Sequence, residues 1–455
     1  MKLWLGNKWD ELRGSFWFLP TLMVVSAISL SLATIHLDRV TTNRNWIATL
    51  GWTFSRGPEG SRALLATVAG SMMTIASVTF SITIVALQLA SSQFGPRLLR
   101  NFMRDRGNQV AIGTFIATFT YCLLVLRTVN GTEREQFVPH ISVTVALLLA
   151  LLSVGVLIYF IHHSAESIQA ENVIAAVSRD LHYAIDRLYP ECMGHEAPDE
   201  LNRENQPNLP TGFDHDHCTV DSVRSDYLQA INVDRLLQIA NEHDLVFSIV
   251  RRPGKFCFKG DPIALAGPSA KVDDAMVESI RSEFFFGHRR TLVQDIEFAI
   301  DQLVEVAVRA LSPGVNDPFT AINCVDRLGA ALCALAEKAI PSPYRYDEDG
   351  KLRVATDAST VQGIVDASFD QIRQAARKDT SVTLRLLETI AAVARQTHDP
   401  RFRTALQRQA DAIHRGSQDG LADSTDREDA KKRFREAVEA LNGTGEYSAV
   451  GAPRP

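Results

Sequence analysis

Glu297, Asp301 and Glu305 stand four positions apart, so a helix stacks their carboxylates on one face. Like charges at that spacing repel by roughly 0.2–0.5 kcal/mol per pair, which sets the ridge against a cation, an arginine or water. Arg309, one turn beyond Glu305, is placed to relieve that pair. Ser312-Pro313-Gly314 then stops the helix, and Asn316-Asp317-Pro318 starts another, with Asp317 as N-cap and Pro318 at the first helical position. Capping accounts for this stretch; the functional alternative is a small anion at the helix start or a cation on the ridge. Two histidine groups are weak metal candidates. His162 and Glu166 lie one turn apart, which also allows a pH-sensing role, and helix-end residues at a membrane surface are the plainer reading. In Asp214-His215-Asp216-His217-Cys218 an extended chain would point His215 and His217 to one face, against the plainer reading of a solvated loop. Neither group has the spacing of a zinc motif, and none of the six cysteines forms a C-x-x-C pair. There is no phosphate-binding loop and no nucleophile–base pairing, so no catalytic residue, no enzymatic activity and no cofactor is assigned.

The other chemistry-bearing pattern is a stripe of hydroxyls and amides. Thr67, Ser71, Thr74, Ser77, Ser81 and Gln88, with Gly70, Ser91 and Ser92, recur at three- and four-residue steps. Thr67, Thr74, Ser81 and Gln88 keep a strict seven-residue repeat. Such a stripe lets membrane helices pack closely, or lines a water-filled path when several copies surround an axis. The absence of Asp, Glu, Lys and Arg from Ala63 to Pro96 argues against a proton relay or charge-paired transport in this segment.

These residues need elements to hold them. The chain has 455 residues, 22% charged, with a net charge of -6; an acidic balance of this kind excludes a typical nucleic-acid binder. Its apolar residues are very unevenly placed. Uncharged runs lie at about 16–35, 63–90, 110–126 and 141–161. A hydrocarbon core about 30 Å thick needs roughly 20 residues of helix. The fold expected is therefore an α-helical transmembrane domain of four helices over 1–161, followed by an α+β, mostly helical cytoplasmic region. The first run is read as an uncleaved anchor, since Ala33-Thr34-Ile35-His36 is no small-x-small cleavage site and Trp4, Trp9 and Trp17 flank it. The second, about 42 Å as a straight helix, must tilt or project.

Topology follows the basic residues near the helix ends. Lys2, Lys8 and Arg13 at the N-terminus, with Arg97, Arg100, Arg104 and Arg106 in the second loop, outweigh Arg39, Arg44, Arg56 and Arg62 in the first loop and Arg127 and Arg134 in the third. Both termini and the large C-terminal region then lie in the cytoplasm.

The apolar stripe Ile168, Val173, Ile174, Val177, Leu181, Ile185 and Leu188 continues the fourth helix into a stalk over 162–190. A linker at 191–213, a small α+β domain at 214–270, a mainly helical domain at 271–441 and a disordered tail at 442–455 complete the expected order. Thr291–Leu311 reads there as a strong amphipathic helix, and Asp349-Gly350 as a hairpin turn.

Several strings carry a family resemblance: Gly57-Pro58-Glu59-Gly60, Ser77-Val78-Thr79-Phe80-Ser81, Leu87-Gln88-Leu89-Ala90-Ser91-Ser92-Gln93-Phe94, Tyr159-Phe160-Ile161-His162-His163 and Leu311-Ser312-Pro313-Gly314-Val315-Asn316-Asp317-Pro318. They resemble the predicted bacterial membrane-protein family called domain of unknown function 2254, over nearly all of the chain except the tail. The resemblance implies a membrane location and carries over no catalytic residue. The leading expectation is a homo-oligomeric channel or transporter in the lipid bilayer, passing a small ion or solute beside the second helix under cytoplasmic gating, with no nucleic-acid partner. A membrane-anchored sensor or scaffold that binds a small ligand or a protein is the alternative. A membrane enzyme working through Asp295, Glu297, Asp301 or Asp317 has the least support.

Overall fold

The computed structural model describes residues 16–41, 57–95, 105–132, 135–167, 169–189, 209–210, 212–338 and 340–443, and divides the chain into two compact units at Val173/Ile174. Trp4, Trp9 and most of the arginines and lysines used for topology lie outside the described residues, as do most of the 191–213 linker and nearly all of the tail.

In the first unit each uncharged run lies in a helix: α1 (Phe18–Thr41), α2 (Pro58–Phe94), α3 (Arg106–Leu126) and α4 (His140–Ser167). A short hairpin, β1 (Asn130–Thr132) and β2 (Glu135–Phe137), joins the last two. α3 is the packing centre. Leu65 and Ala69 of α2 cluster with Tyr121, Cys122 and Val125 of α3, while Met72 and Ala76 cluster with Ala111 and Phe115 of α3 and Phe160 of α4. Positions climb along α2 as they descend along α3, so the two run antiparallel. Beyond Ala76, α2 continues to Phe94, about 27 Å of further helix at 1.5 Å per residue.

The stalk is not one helix. α4 ends at Ser167 and α5 (Ala170–Leu188) begins three residues later. Asn172 explains the break in part: its side-chain amide donates to the Glu166 carbonyl at 2.8 Å, taking an acceptor that a continuing helix would use.

The second unit is built on two sheets. Five strands run in the order β3 (Cys218–Asp221), β7 (Pro262–Gly267), β5 (Val246–Ile249), β10 (Leu352–Ala355), β9 (Tyr344–Tyr346), and three in the order β6 (Phe256–Cys257), β4 (Asp226–Ile231), β8 (Phe284–Gly287). With α6 (Val233–His243) and α7 (Asp274–Arg281) they enclose Val220, Leu228, Leu236, Phe247, Ile263, Ile280 and Val354. The two sheets run across the expected boundary at 270. β8 lies beyond it, and the Asp349-Gly350 hairpin sends β10 to pair in parallel with β5, Val354 opposite Phe247. Six helices follow the first sheet strands: α8 (Glu297–Ala310), α9 (Pro318–Ala336), α10 (Val361–Ala375), α11 (Thr380–Gln396), α12 (Pro400–Gly420) and α13 (Ser424–Leu441). α8 starts six residues later than its apolar stripe suggests. Gln294 is held out of the helix because its amide bonds both the N–H (2.8 Å) and the carbonyl (3.0 Å) of Ile231 in β4.

Length and composition admit five helices as membrane crossings where four were expected; the fifth is α9. α9 carries Asp326, which accepts from Arg385 of α11 at 3.0 Å, and it buries Cys324, Leu328, Leu332 and Leu335 within the second unit.

Candidate functional sites

The hydroxyl stripe does not serve packing inside the chain. α2 buries Leu65, Ala69, Met72, Ala76, Thr79, Ala86 and Ala90, whereas Thr67, Ser71, Thr74, Ser77, Ser81 and Gln88 are exposed on the opposite side. A Cβ added at Gly70 would meet nothing within 4 Å. The hydroxyls turn back onto their own helix: Thr67 donates to the Ala63 carbonyl at 2.7 Å, Thr74 to Gly70 at 3.1 Å, Ser77 to Met73 at 2.9 Å and Ser81 to Ser77 at 2.9 Å. The Gln88 side-chain amide has no hydrogen bond among the described residues.

Two polar knots mark the ends of the helix bundle, one buried and one half-buried. At one, Asp38 of α1 caps α4: its carboxylate accepts from the Ile141 N–H (2.9 Å), the Ser142 N–H (2.9 Å) and the Ser142 hydroxyl (2.6 Å). Tyr121 of α3 joins the same place, 2.9 Å from the Thr34 hydroxyl and donating to the Ser142 carbonyl at 3.2 Å. At the other, Asp105 caps α3 through the Gly107 N–H at 2.8 Å and holds His163 Nε2 at 2.7 Å. Gly107 is required there, because a Cβ would overlap the His163 ring. Sequence reasoning singled out the neighbouring His162, whose 3.2 Å contact with Glu166 is an exposed one-turn pair. His163 and Asp105, 58 residues apart, carried no local signal beyond the doubled histidine.

The carboxylate ridge of α8 meets arginines. Arg252 donates to Glu297 at 3.1 Å, Arg290 bonds Asp301, and Arg309 stands 3.9 Å from Glu305. Arg290 also grips Asp295 through two nitrogens, at 2.8 and 3.1 Å. Gly254, at φ 91°, brings its backbone so close to Asp295 that a side chain could not fit. Burial pushes the Asp295 carboxyl above the usual carboxylate range; Arg290 opposes that shift and Glu297 adds to it. Burial, followed by the Glu297 charge, pushes the Tyr189 phenol up to about 12. Asp295, offered by the sequence only for the least-supported enzymatic reading, sits in this knot, and Arg252 is the participant the site candidates left out.

The remaining candidates resolve locally. Asp317 is the expected cap, accepting from the Thr320 N–H at 3.1 Å and the Thr320 hydroxyl at 2.6 Å. Asn316 takes the left-handed conformation at φ 51°, which turns the chain into α9. His215 lies in a turn and His217 just before β3, so the extended strand expected of them is not formed. His217 Nδ1 donates to the Phe213 carbonyl at 2.8 Å and stacks on the Phe213 ring. Among the described residues no group of three or more His, Cys, Asp or Glu could hold a metal ion. A cavity of about 110 Å³ between α10, α11 and α12 is lined by Arg373 and Arg377, which are already engaged by Asp370 and Asp419 at 2.9 Å each.

Long apolar helices tied at their ends by carboxylates, followed by a separate unit of sheets and helices, define a multi-helix membrane protein with an attached polar unit. The chain belongs to the family described as "Predicted membrane protein (DUF2254)", whose model matches residues 13–392. It is 34% identical over 427 residues to uncharacterized proteins of Mycobacterium bovis and Mycobacterium tuberculosis, covering 92% of this chain and 79% of each relative. No solved structure matches.

Proposed function

We propose that the protein is a homo-oligomeric channel or transporter of the bacterial inner membrane, with both termini and the second unit in the cytoplasm. The observation that carries this reading is the outward stripe of α2. A single copy turns Thr67, Gly70, Ser71, Thr74, Ser77 and Ser81 away from its own bundle, where acyl chains gain nothing from them. A face of small and hydroxyl residues suits close approach of the same helix from other copies. The same groups suit an aqueous path along an oligomer axis, since hydroxyls bonded to their own backbone keep lone pairs for water or a passing solute. The cytoplasmic unit is the natural gate, being continuous in sequence with α4.

The test is full-length protein in planar bilayers across several salts and small solutes. Current or flux is expected, and Ser81→Leu should reduce it. Absence of flux under all conditions, with a monomer in native-lipid particles, would sink the reading. The alternative is a sensor or scaffold without a path. Its support is that the stripe hydroxyls are already satisfied by their own helix and need no partner. A ligand that raises the melting temperature of the full-length protein without any associated flux would favour it. The proposal includes no enzymatic step.

A further inference from the structure

The second unit carries an aromatic patch at the edge of its smaller sheet. β6 is a two-residue edge strand that pairs with β4 alone. Tyr227 and Phe256 sit opposite each other on that ladder, ring centroids 5.1 Å apart, and Phe258 meets Phe256 edge-on at 5.1 Å. The alternating side chains Leu228 and Cys257 are fully buried in the core, so the sheet has a dry face and an aromatic outer one. Phe256 is 41% exposed, Phe258 63% and Val223 50%. The Val223 turn is stitched alongside: Lys259 N–H donates to the Ser225 hydroxyl at 3.0 Å, and Gly260 N–H donates to the Ser222 carbonyl at 2.8 Å.

The rim of this patch is basic. Arg224, Lys255 and Lys259 are exposed around it. Asp226 is occupied by His288 at 2.8 Å, and Asp261 by the Phe258 N–H at 3.1 Å and Arg251 at 3.4 Å. Counting Asp221, next along the chain, three cations face one uncommitted carboxylate. Folded proteins seldom leave contiguous large aromatics in water without a use for them. Phenylalanine beside lysine and arginine matches a surface that is apolar beneath and anionic above, which is the headgroup layer of a bilayer holding anionic lipid. The chain also contains the membrane helices of the first unit, so the patch is tethered and needs only weak intrinsic affinity to engage.

We propose that Val223, Phe256 and Phe258, with Arg224, Lys255 and Lys259, form a docking surface for the anionic headgroup layer of the bilayer. This assignment is independent of the proposed conduction path. Each cation near an anionic leaflet strengthens binding about fivefold, so losing two weakens it about 25-fold.

The experiment is hydrogen–deuterium exchange on the full-length protein in lipid nanodiscs, of phosphatidylcholine alone or with 30% phosphatidylglycerol. Peptides covering 253–261 should exchange about tenfold more slowly in the anionic discs, an effect of the size these charges allow. The protection should vanish in 0.5 M salt and in the double variant Lys255→Glu/Lys259→Glu. Phe256→Ser/Phe258→Ser, at exposed positions, should remove it while exchange in the β5 and β7 peptides stays unchanged. Equal exchange in neutral and anionic discs overturns the proposal. So does protection that survives the charge reversal, or protection in detergent that rises with protein concentration, which would make a second copy the occupant.

Discussion

Removing the Asp38 carboxylate tests how the bundle ends are held. In Asp38→Ala the Ile141 and Ser142 N–H groups and the Ser142 hydroxyl lose acceptors at 2.9, 2.9 and 2.6 Å. Ser142 is fully buried and Asp38 nearly so, which limits rescue by water. A lost helix cap costs about 1 kcal/mol and at most about 2. An orphaned buried polar group adds about 1–3 kcal/mol. The sum for Asp38→Ala is about 3 kcal/mol, allowing partial relaxation. Asp38→Asn keeps one acceptor oxygen and loses the charge, so about half that loss is expected. Ser142→Ala removes one of the three bonds and should cost about 1 kcal/mol. Combining it with Asp38→Ala should therefore cost less than the sum of the two. The assay is reversible unfolding in mixed micelles by titration with a denaturing detergent. His162→Ala, at an exposed one-turn pair, is the control and should change stability by less than about 0.5 kcal/mol. If Asp38→Ala costs no more than this control, the cross-helix cap does not hold α4, and the reasoning fails.

At the other end, Gly107→Ala should push His163 off Asp105 and cost about 1–3 kcal/mol in the same unfolding assay, as overpacking does. The combination with His163→Ala should recover part of that loss. In the second unit, Arg290→Ala leaves Asp295 buried without its cation and should destabilise by about 3–5 kcal/mol, measured by thermal unfolding. That deficit should shrink as pH falls. The folded-state pKa of Asp295 already lies above its unfolded value, so its contribution is fully present below the unfolded pKa of 3.8 and is lost as pH rises through the folded one. Removing Arg290 raises the folded value further, while protonated Asp295 needs no counter-charge; a deficit constant from pH 4 to 7 would contradict the assignment.

The membrane helices were legible because a bilayer imposes a coarse rule, and an uncharged run of the right length satisfies it wherever it packs. The stripe on α2 was equally visible as a period. Which side of the helix the chain would bury was not, since Leu65, Ala69 and Met72 are no stronger an apolar signal than the Val78 and Val85 left outside. Asp317 was read correctly because capping is local chemistry within four residues. Asp38–Ser142 and Asp105–His163 join positions 104 and 58 residues apart, and no window along the chain contains both partners. The start of α8 and the sheet position of β10 were missed for the same reason: Gln294 and Val354 answer to strands formed by residues far away in sequence. The charged ridge was recognised, but its arginines come partly from another element, so its partner was not.

The cap on α4 also orders events in time. Asp38 is synthesised 103 residues before Ile141, whose N–H donates to it. At about 5–20 residues per second, the ribosome takes roughly 5–20 s to make the intervening chain. During that interval the Asp38 carboxylate has not met its three donors in α4, and a charged group keeps that end of α1 near water. Only when the first turn of α4 arrives can the end be drawn into the bundle. The first helix made is thus among the last to be fastened, and the nascent protein waits on its fourth helix before the first is finished.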